Sequence, residues 1–359
     1  MQVPPEILRI PQGCIDLDGS YGEGGGQIVR TACALSALTG ITCKISQIRK
    51  GRDKPGLRPQ HVRALGGLKQ LCSARTTPLD VGTTEIEFSP GPLRGGRLSL
   101  DIGSAGSIGL ILQCLMLVGV GLPEPLSVQI RGGTDVPGAP SCTYIGSVKV
   151  PLLQKMGYTV KILIKERGYI PRGGGMVHVE IVPAETLHAI KPSESCGILR
   201  SIGVSHASQE LAPRQVAERQ RYAAQKILTQ YLHTPSKIES VYSRTRSIGS
   251  SLVIWAESAD TVFGASCLGK RNMSGEQVAE KAAGALIRTY HSGASLDPWM
   301  GDQILPYMAL AGTQSETTVP YVTNHMLTNI WVIQKFLNVR FYTEETQQHV
   351  RVICEPIPA

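Results

Sequence analysis

The sequence has no C-x-x-C pair, no apolar run long enough to cross a bilayer and no basic-plus-apolar leader at its start. Its nine cysteines are scattered and odd in number, which argues against a disulfide framework or a zinc knuckle and fits a reducing compartment. The longest apolar stretch, Ile108 to Leu122, is interrupted by Gln113, stops at Pro123 and falls short of the roughly 20 residues that a membrane span needs. It reads as a buried helix. The opening MQVPPEILRIPQG lacks the pattern of a signal peptide and reads as a short extension, so the expected location is intracellular, in cytoplasm or nucleoplasm, with no membrane partner. Aromatics are few and glycines many. Acids are outnumbered: 36 Lys plus Arg against 28 Asp plus Glu give a formal charge of +8, a balance that favours nucleotides or RNA as partners.

The run DGSYGEGGGQIVR, Asp18 to Arg30, sets a carboxylate, several glycines and an arginine where an apolar helix begins. Glycines let the backbone approach a ligand, and the open amides of a helix start suit an anion. Helical spacing puts Glu23, Gln27 and Arg30 on one side, with Ile28, Ala32, Leu35 and Leu38 toward a core. A glycine-rich turn that only packs a helix would look the same. The next segment favours the anion. From Arg49 to Arg63 the chain carries Arg49, Lys50, Arg52, Lys54, Arg58 and Arg63 against the single acid Asp53, broken into a loop by Gly51, Pro55, Gly56 and Pro59. Guanidinium forks on a loop can converge on phosphate oxygens. Gln60 and His61 then open a helix running to about Leu71.

An internal echo organises the first half. Asp18-Gly-Ser before a helix recurs as Asp101-Ile-Gly-Ser before a helix, about 80 residues on, a period suited to a duplicated α/β module. Each unit reads strand, helix, strand, helix and two strands. In the first, the closing strands fall near Leu79 and over Thr84 to Phe88; in the second, a helix over Tyr144 to Lys155 leads to strands at Thr159 to Ile164 and Val177 to Val182. A third unit follows an interruption. It takes in a helix opened by the capping box of Ser274 and Gln277, and ends with a helix near Met326 to Phe336 and two strands. The expected fold is α/β (α+β): a large domain of three repeated βαβαββ-type modules, residues 1–184 and 271–359, with a small α+β domain inserted at 185–270.

Gly264 to Arg271 nearly matches a P-loop but has Arg271 where Ser or Thr should hold magnesium, which excludes that reading. Arg172-Gly-Gly-Gly175 lies between strands, as fit for a hairpin turn as for an anion loop. Of eight histidines, the residues themselves favour His61, which stands beside the arginines where an acid or nucleophile near phosphates would sit.

Read together, DGSYGEGGGQIVR, IRKGRDKPGLRPQH, GSAGSIGLILQ, RGGTDVPGAP, RGYIPRGGG, FGASCLGKR, DPWMGDQ and NHMLTNI resemble, in order and over nearly the whole chain, the RNA 3'-terminal phosphate cyclase family. The resemblance implies three repeated modules plus a small insert. It also implies an ATP-dependent enzyme that converts an RNA 3'-phosphate end into a 2',3'-cyclic phosphate. His325 would be the nucleotidyl acceptor that takes AMP, and Asp302 would orient it. Glu23, Arg30, Arg49, Arg52, Gln60, His61 and Gln113 would face phosphates, with Glu23 holding a divalent cation, Mg2+ or Mn2+; Pro140, Tyr144 and Trp299 would contact adenine. Trp299 stands where relatives often carry tyrosine. Two other readings share the architecture. Noncatalytic ribosome-assembly relatives lack the accepting histidine, and enolpyruvyl transferases need the arginines but neither a covalent histidine nor an adenine stack.

Overall fold

The computed structural model describes residues 13–191 and 197–357; the amino-terminal extension lies outside them. The first unit comprises β1 (Ile15–Asp18), α1 (Gly26–Thr39), β2 (Cys43–Ser46), α2 (Pro59–Cys72), β3 (Arg75–Thr76) and β4 (Ile86–Ser89). Its strands lie in the order β1-β2-β4-β3, with β1 and β2 parallel and the other pairs antiparallel. The second unit repeats that order as β5-β6-β8-β7. It is built from β5 (Gly96–Asp101), α3 (Ile108–Gly119), β6 (Leu126–Gly132), α4 (Cys142–Tyr144), a π-helical turn (Ile145–Lys149), α5 (Val150–Lys155), β7 (Thr159–Glu166) and β8 (Gly175–Val182). The sequence echo has a physical counterpart. Asp18 and Asp101 each end the first strand of a sheet, and each carboxylate accepts the backbone N–H two residues on, at 2.8 Å.

Next come β9 (Arg200–Ser208), α6 (Val216–Leu232), β10 (Ser236–Ser243), β11 (Ser250–Glu257), β12 (Val262–Leu268) and α7 (Gly275–His291), with the sheet order β10-β9-β11-β12. The chain closes with α8 (Pro298–Leu310), β13 (Ser315–Val319), α9 (Asn324–Phe336), β14 (Val339–Glu345) and β15 (Val350–Pro356), a three-stranded sheet in the order β13-β15-β14. The other edge of β13 donates from Glu316 N–H to the carbonyl of Ile190, at 2.7 Å. Ile190, inside the insertion as bounded from the sequence, therefore borders this sheet.

Three details differ from the sequence expectation. The strand expected near Leu79 forms at Arg75–Thr76. Of the near-P-loop run, 264–268 lie in β12, an edge strand, and 269–271 lie beyond its end. Its place in the chain suggests the last unit for α7, yet α7 packs on α6, β11 and β12. Its face of Val278, Ala279, Ala282, Ala283 and Leu286 joins Ala224, Leu228 and Ile254 in a second core, beside the main core that the remaining units share. Helix α1 departs from an amphipathic pattern too: packed by α2, α3 and α9, it is buried from Gln27 through Ala37.

Candidate active site

Helix α1 begins without a side-chain cap, since Gly25 has none to offer, and its first N–H groups are open to an anion. Gly26 is required there for space: a Cβ would lie 2.0 Å from His61 Nε2. His61 is 3% exposed, and its Nδ1 accepts the Arg58 N–H at 3.0 Å as part of the cap of α2. Burial, with Arg30, Arg49 and Arg58 nearby, holds its pKa well below the usual histidine value. The ring is therefore neutral at pH 7 and carries its proton on Nε2, toward the start of α1.

His325 stands in the first turn of α9, which Thr323 caps by accepting the Met326 N–H. Its Nδ1 meets Oε1 of Gln27. The Gln27 amide cannot be turned around, because its Nε2 donates both to Asp302 Oδ1 (2.9 Å) and to the His325 carbonyl (2.8 Å), groups that accept only. The oxygen facing His325 is thus fixed, and it requires a proton on Nδ1. On the other side of the ring, Nε2 lies 3.0 Å from Glu23 Oε2, which also pairs with Arg52 at 3.5 Å.

Asp302 is positioned by an oddity of α8. Pro306, inside the helix, has no N–H to give the Asp302 carbonyl four residues back. Asn329 Nδ2 takes that carbonyl at 3.2 Å and Asp302 Oδ1 at 2.5 Å, while Thr31 Oγ1 donates to Asn329 Oδ1 at 3.0 Å. Burial raises the Asp302 pKa; His325, the Asn329 bond, Arg30 and Lys149 oppose it.

Arg30 is 8% exposed. Among the described residues its guanidinium has no hydrogen bond and no ion pair, and Nε is wholly buried without a partner. Burial brings its pKa down to about 10, so it stays cationic at pH 7. The basic loop spends part of its charge on itself, with Arg49 Nη1 donating to the carbonyls of Lys54 (2.6 Å) and Gly56 (3.0 Å). Arg52 reaches the Glu23 carbonyl at 3.1 Å, which ties the loop to the glycine run.

At the other end of the site, Tyr144 is buried and donates to Asp297, at 2.7 and 2.8 Å from its two carboxylate oxygens. Asp297 also caps α8 through the N–H groups of Trp299 and Met300, and accepts Gly264 N–H at 2.9 Å. Gly264 thus serves a close approach: a Cβ there would meet Val148 at 2.6 Å. Trp299 is half exposed at the rim.

All twelve residues singled out from the sequence line one cleft of about 690 Å3: Glu23, Arg30, Arg49, Arg52, Gln60, His61, Gln113, Pro140, Tyr144, Trp299, Asp302 and His325. That volume suits a nucleotide-sized ligand. Behind it lies a cavity of about 30 Å3 bordered by Arg30, Gln113, Lys149, Asp302, Tyr307 and Asn329. Asp297, Asn329 and Lys149 escape sequence reasoning. Asp297 could have been found as an acid directly before a proline at a helix start; nothing in the local pattern marks the other two. Among the described residues, no group of three or more His, Cys, Asp or Glu side chains could hold a metal alone, and no helix is long and apolar enough to cross a membrane.

Residues 21–343 match the profile of the RNA 3'-terminal phosphate cyclase family. Over 330 residues the chain is 42% identical to the RNA 3'-terminal phosphate cyclase of Thermococcus kodakarensis, spanning 92% of this chain and 94% of that one. It is 42% identical to the protein of the same name from Methanosarcina barkeri (93% and 97% covered) and 43% identical to that of Methanococcoides burtonii (94% and 99% covered). With the profile spanning most of its length and relatives matched nearly end to end, the chain belongs to the RNA 3'-terminal phosphate cyclase family.

Proposed function

We propose that this protein uses ATP to convert an RNA 3'-phosphate end into a 2',3'-cyclic phosphate through an AMP carried on His325. The observation that carries this reading is the chain from Asp302 through Gln27 to His325, set in a cleft with an unpaired Arg30. An ionised Asp302 holds the Gln27 amide, the amide oxygen holds the proton on Nδ1, and the Nε2 lone pair is left to attack the α-phosphorus of ATP. The Nε2–P bond forms as the P–O bond to pyrophosphate breaks. The electron pair leaves on pyrophosphate, where Arg30, Arg49 and Arg52 would balance the growing charge. Gln60, the Nε2–H of His61 and Gln113 would complete the phosphate-facing wall. Pro140, Tyr144 and Trp299 would hold the adenine.

Glu23 occupies the space an attacking Nε2 needs, so its carboxylate must give up that contact when ATP enters. A lone carboxylate beside a phosphate site fits Mg2+ or Mn2+, which take one or two protein carboxylates and complete their shell with phosphate oxygens and water. Such an ion would neutralise the triphosphate. In the second step an RNA 3'-phosphate oxygen attacks the AMP phosphorus and the N–P bond breaks. In the third the neighbouring 2'-oxygen attacks the RNA phosphorus and AMP leaves, a closure favoured because both groups share one ribose.

ATP labelled at the α-phosphate tests the reading. Wild type should retain acid-labile label, His61→Ala should retain it as well, and His325→Ala should lose it while still binding ATP. Label retained by His325→Ala and lost by His61→Ala would move the chemistry to the other ring.

A further inference from the structure

Lys149 is 2% exposed, at the end of the π-helical turn that joins α4 to α5. The turn has a local cause. Pro151 has no N–H to close an α-turn back onto Ser147, and Val150 N–H reaches Ile145 O instead, five residues back. The extra residue rotates the side chains that follow by roughly 100° relative to those before it. Lys149, the last residue of the turn, is buried in the protein interior. Its Nζ lies 5.1 Å over the Tyr307 ring, and the side chain borders the 30 Å3 cavity that Asp302 and Arg30 also border. Among the described residues it makes no ion pair within 4.0 Å. The cavity has room for roughly two waters, enough to link an ammonium to a carboxylate across a polar gap.

We propose that Lys149 is a positioning residue for adenylation: across this cavity its ammonium keeps Asp302 ionised, which fixes the Gln27 amide and through it the Nδ1–H form of His325. The inference rests on the His325 reading above. A protonated Asp302 accepts at Oδ1 without charge assistance, so the Gln27 amide loses the stronger half of its hold and keeps only the His325 carbonyl, and its grip on the Nδ1–H form of the ring weakens. The groups facing Lys149 leave few alternatives. From α1, Arg30 remains cationic; from α3, the Cys114 thiol is pushed up to about 12; from α8, the Tyr307 hydroxyl is raised by burial, so both stay neutral. Asp302, on α8, is in turn faced by His325 from α9. Burial brings Lys149 itself down to about 7, with Asp302 pulling the other way. The signs agree: Lys149 is charged in the acidic range, where Asp302 is at risk of protonation.

The test is the rate of His325–AMP formation in a single turnover, followed from pH 5 to pH 8 in Lys149→Met. The acid-side loss of rate should move up by about one unit, roughly a tenfold deficit on that limb, with ATP binding unchanged. In an Asp302→Asn background the same substitution should slow the step no further. Superimposable pH profiles in a folded variant, or deficits that multiply in the double variant, would overturn the proposal. If Lys149→Met does not fold, the wild type decides through carbon NMR of the Asp302 carboxyl, assigned by its loss in Asp302→Asn. Its titration must be coupled to that of the Lys149 ammonium, and independence would be a refutation. Failure of the underlying reading would look different, since label would then persist in His325→Ala whatever stands at 149.

Discussion

At the residue scale, Arg30 and His61 show how a charge pattern legible in the sequence becomes a site. Arg30 was marked by its spacing from Glu23 and Gln27. Its burial without an acid was not legible, because the helices that enclose α1 include α9, almost three hundred residues away. An unpaired buried cation opposes folding. Arg30→Gln is therefore expected to leave the melting temperature unchanged or raise it, while adenylation slows by roughly tenfold to a hundredfold through loss of a charge-assisted contact. A destabilised variant that adenylates at the wild-type rate would make Arg30 a structural residue. His61 gives a pH prediction. Its folded pKa lies below the unfolded value of about 6.5, so the unfolded state binds more protons between the two. Stability is fully present above about 6.5 and is lost as pH falls from there through the folded value. Melting curves of wild type and His61→Gln should converge on acidification, and parallel curves from pH 7 to pH 5 would contradict the assigned environment.

At the element scale, helices that start at a glycine run or a capping box were readable, and α8 was not. Two prolines in Pro298–Leu310 look like breaks. One sits at the helix start, where its missing N–H has no partner to lose, and the other releases the Asp302 carbonyl to Asn329. Asp302 thus belongs to the helix body, and the acid at its start is Asp297. That residue joins three elements: α8 through its cap, α4 through Tyr144 and β12 through Gly264. Asp297→Ala removes a cap and leaves a buried hydroxyl and a backbone N–H unpaired, at a cost of roughly 2 to 4 kcal/mol. Urea unfolding should show it, and the affinity for ATP should fall with it because Tyr144 and Trp299 flank the tie. A loss below about 0.5 kcal/mol would mean that these contacts hold nothing together.

At the scale of the whole molecule, the recurring Asp-to-Ser signal at Asp18 and Asp101 announced two alike sheets, and an acceptor Asp two residues before the bonded N–H closes the first strand of each. The extent of the inserted part was harder to read. An amphipathic helix displays its apolar face in the sequence but not the sheet that will cover it. Ser274 and Gln277 do cap α7 as expected, and its alanine-rich face closes on α6 and the sheet of β9 to β12. We propose on that ground that the inserted unit runs through α7, so that the cleft is assembled from the large unit plus one wall, at Ser266, lent by the insert. If so, α7 should open with β9 to β12 as one cooperative unit. Native-state hydrogen exchange in low denaturant resolves this, because amides of one unit converge on a common opening free energy. The amides of Val278 to Ile287 should merge with those of β11, and separately from those of α8 and β13. Convergence of α7 with α8 instead would return it to the last unit and put the boundary back at 270. Bound nucleotide sharpens the contrast. It should raise protection in α1, α8 and α9, whose side chains line the cleft, more than in α7, which contributes none to it.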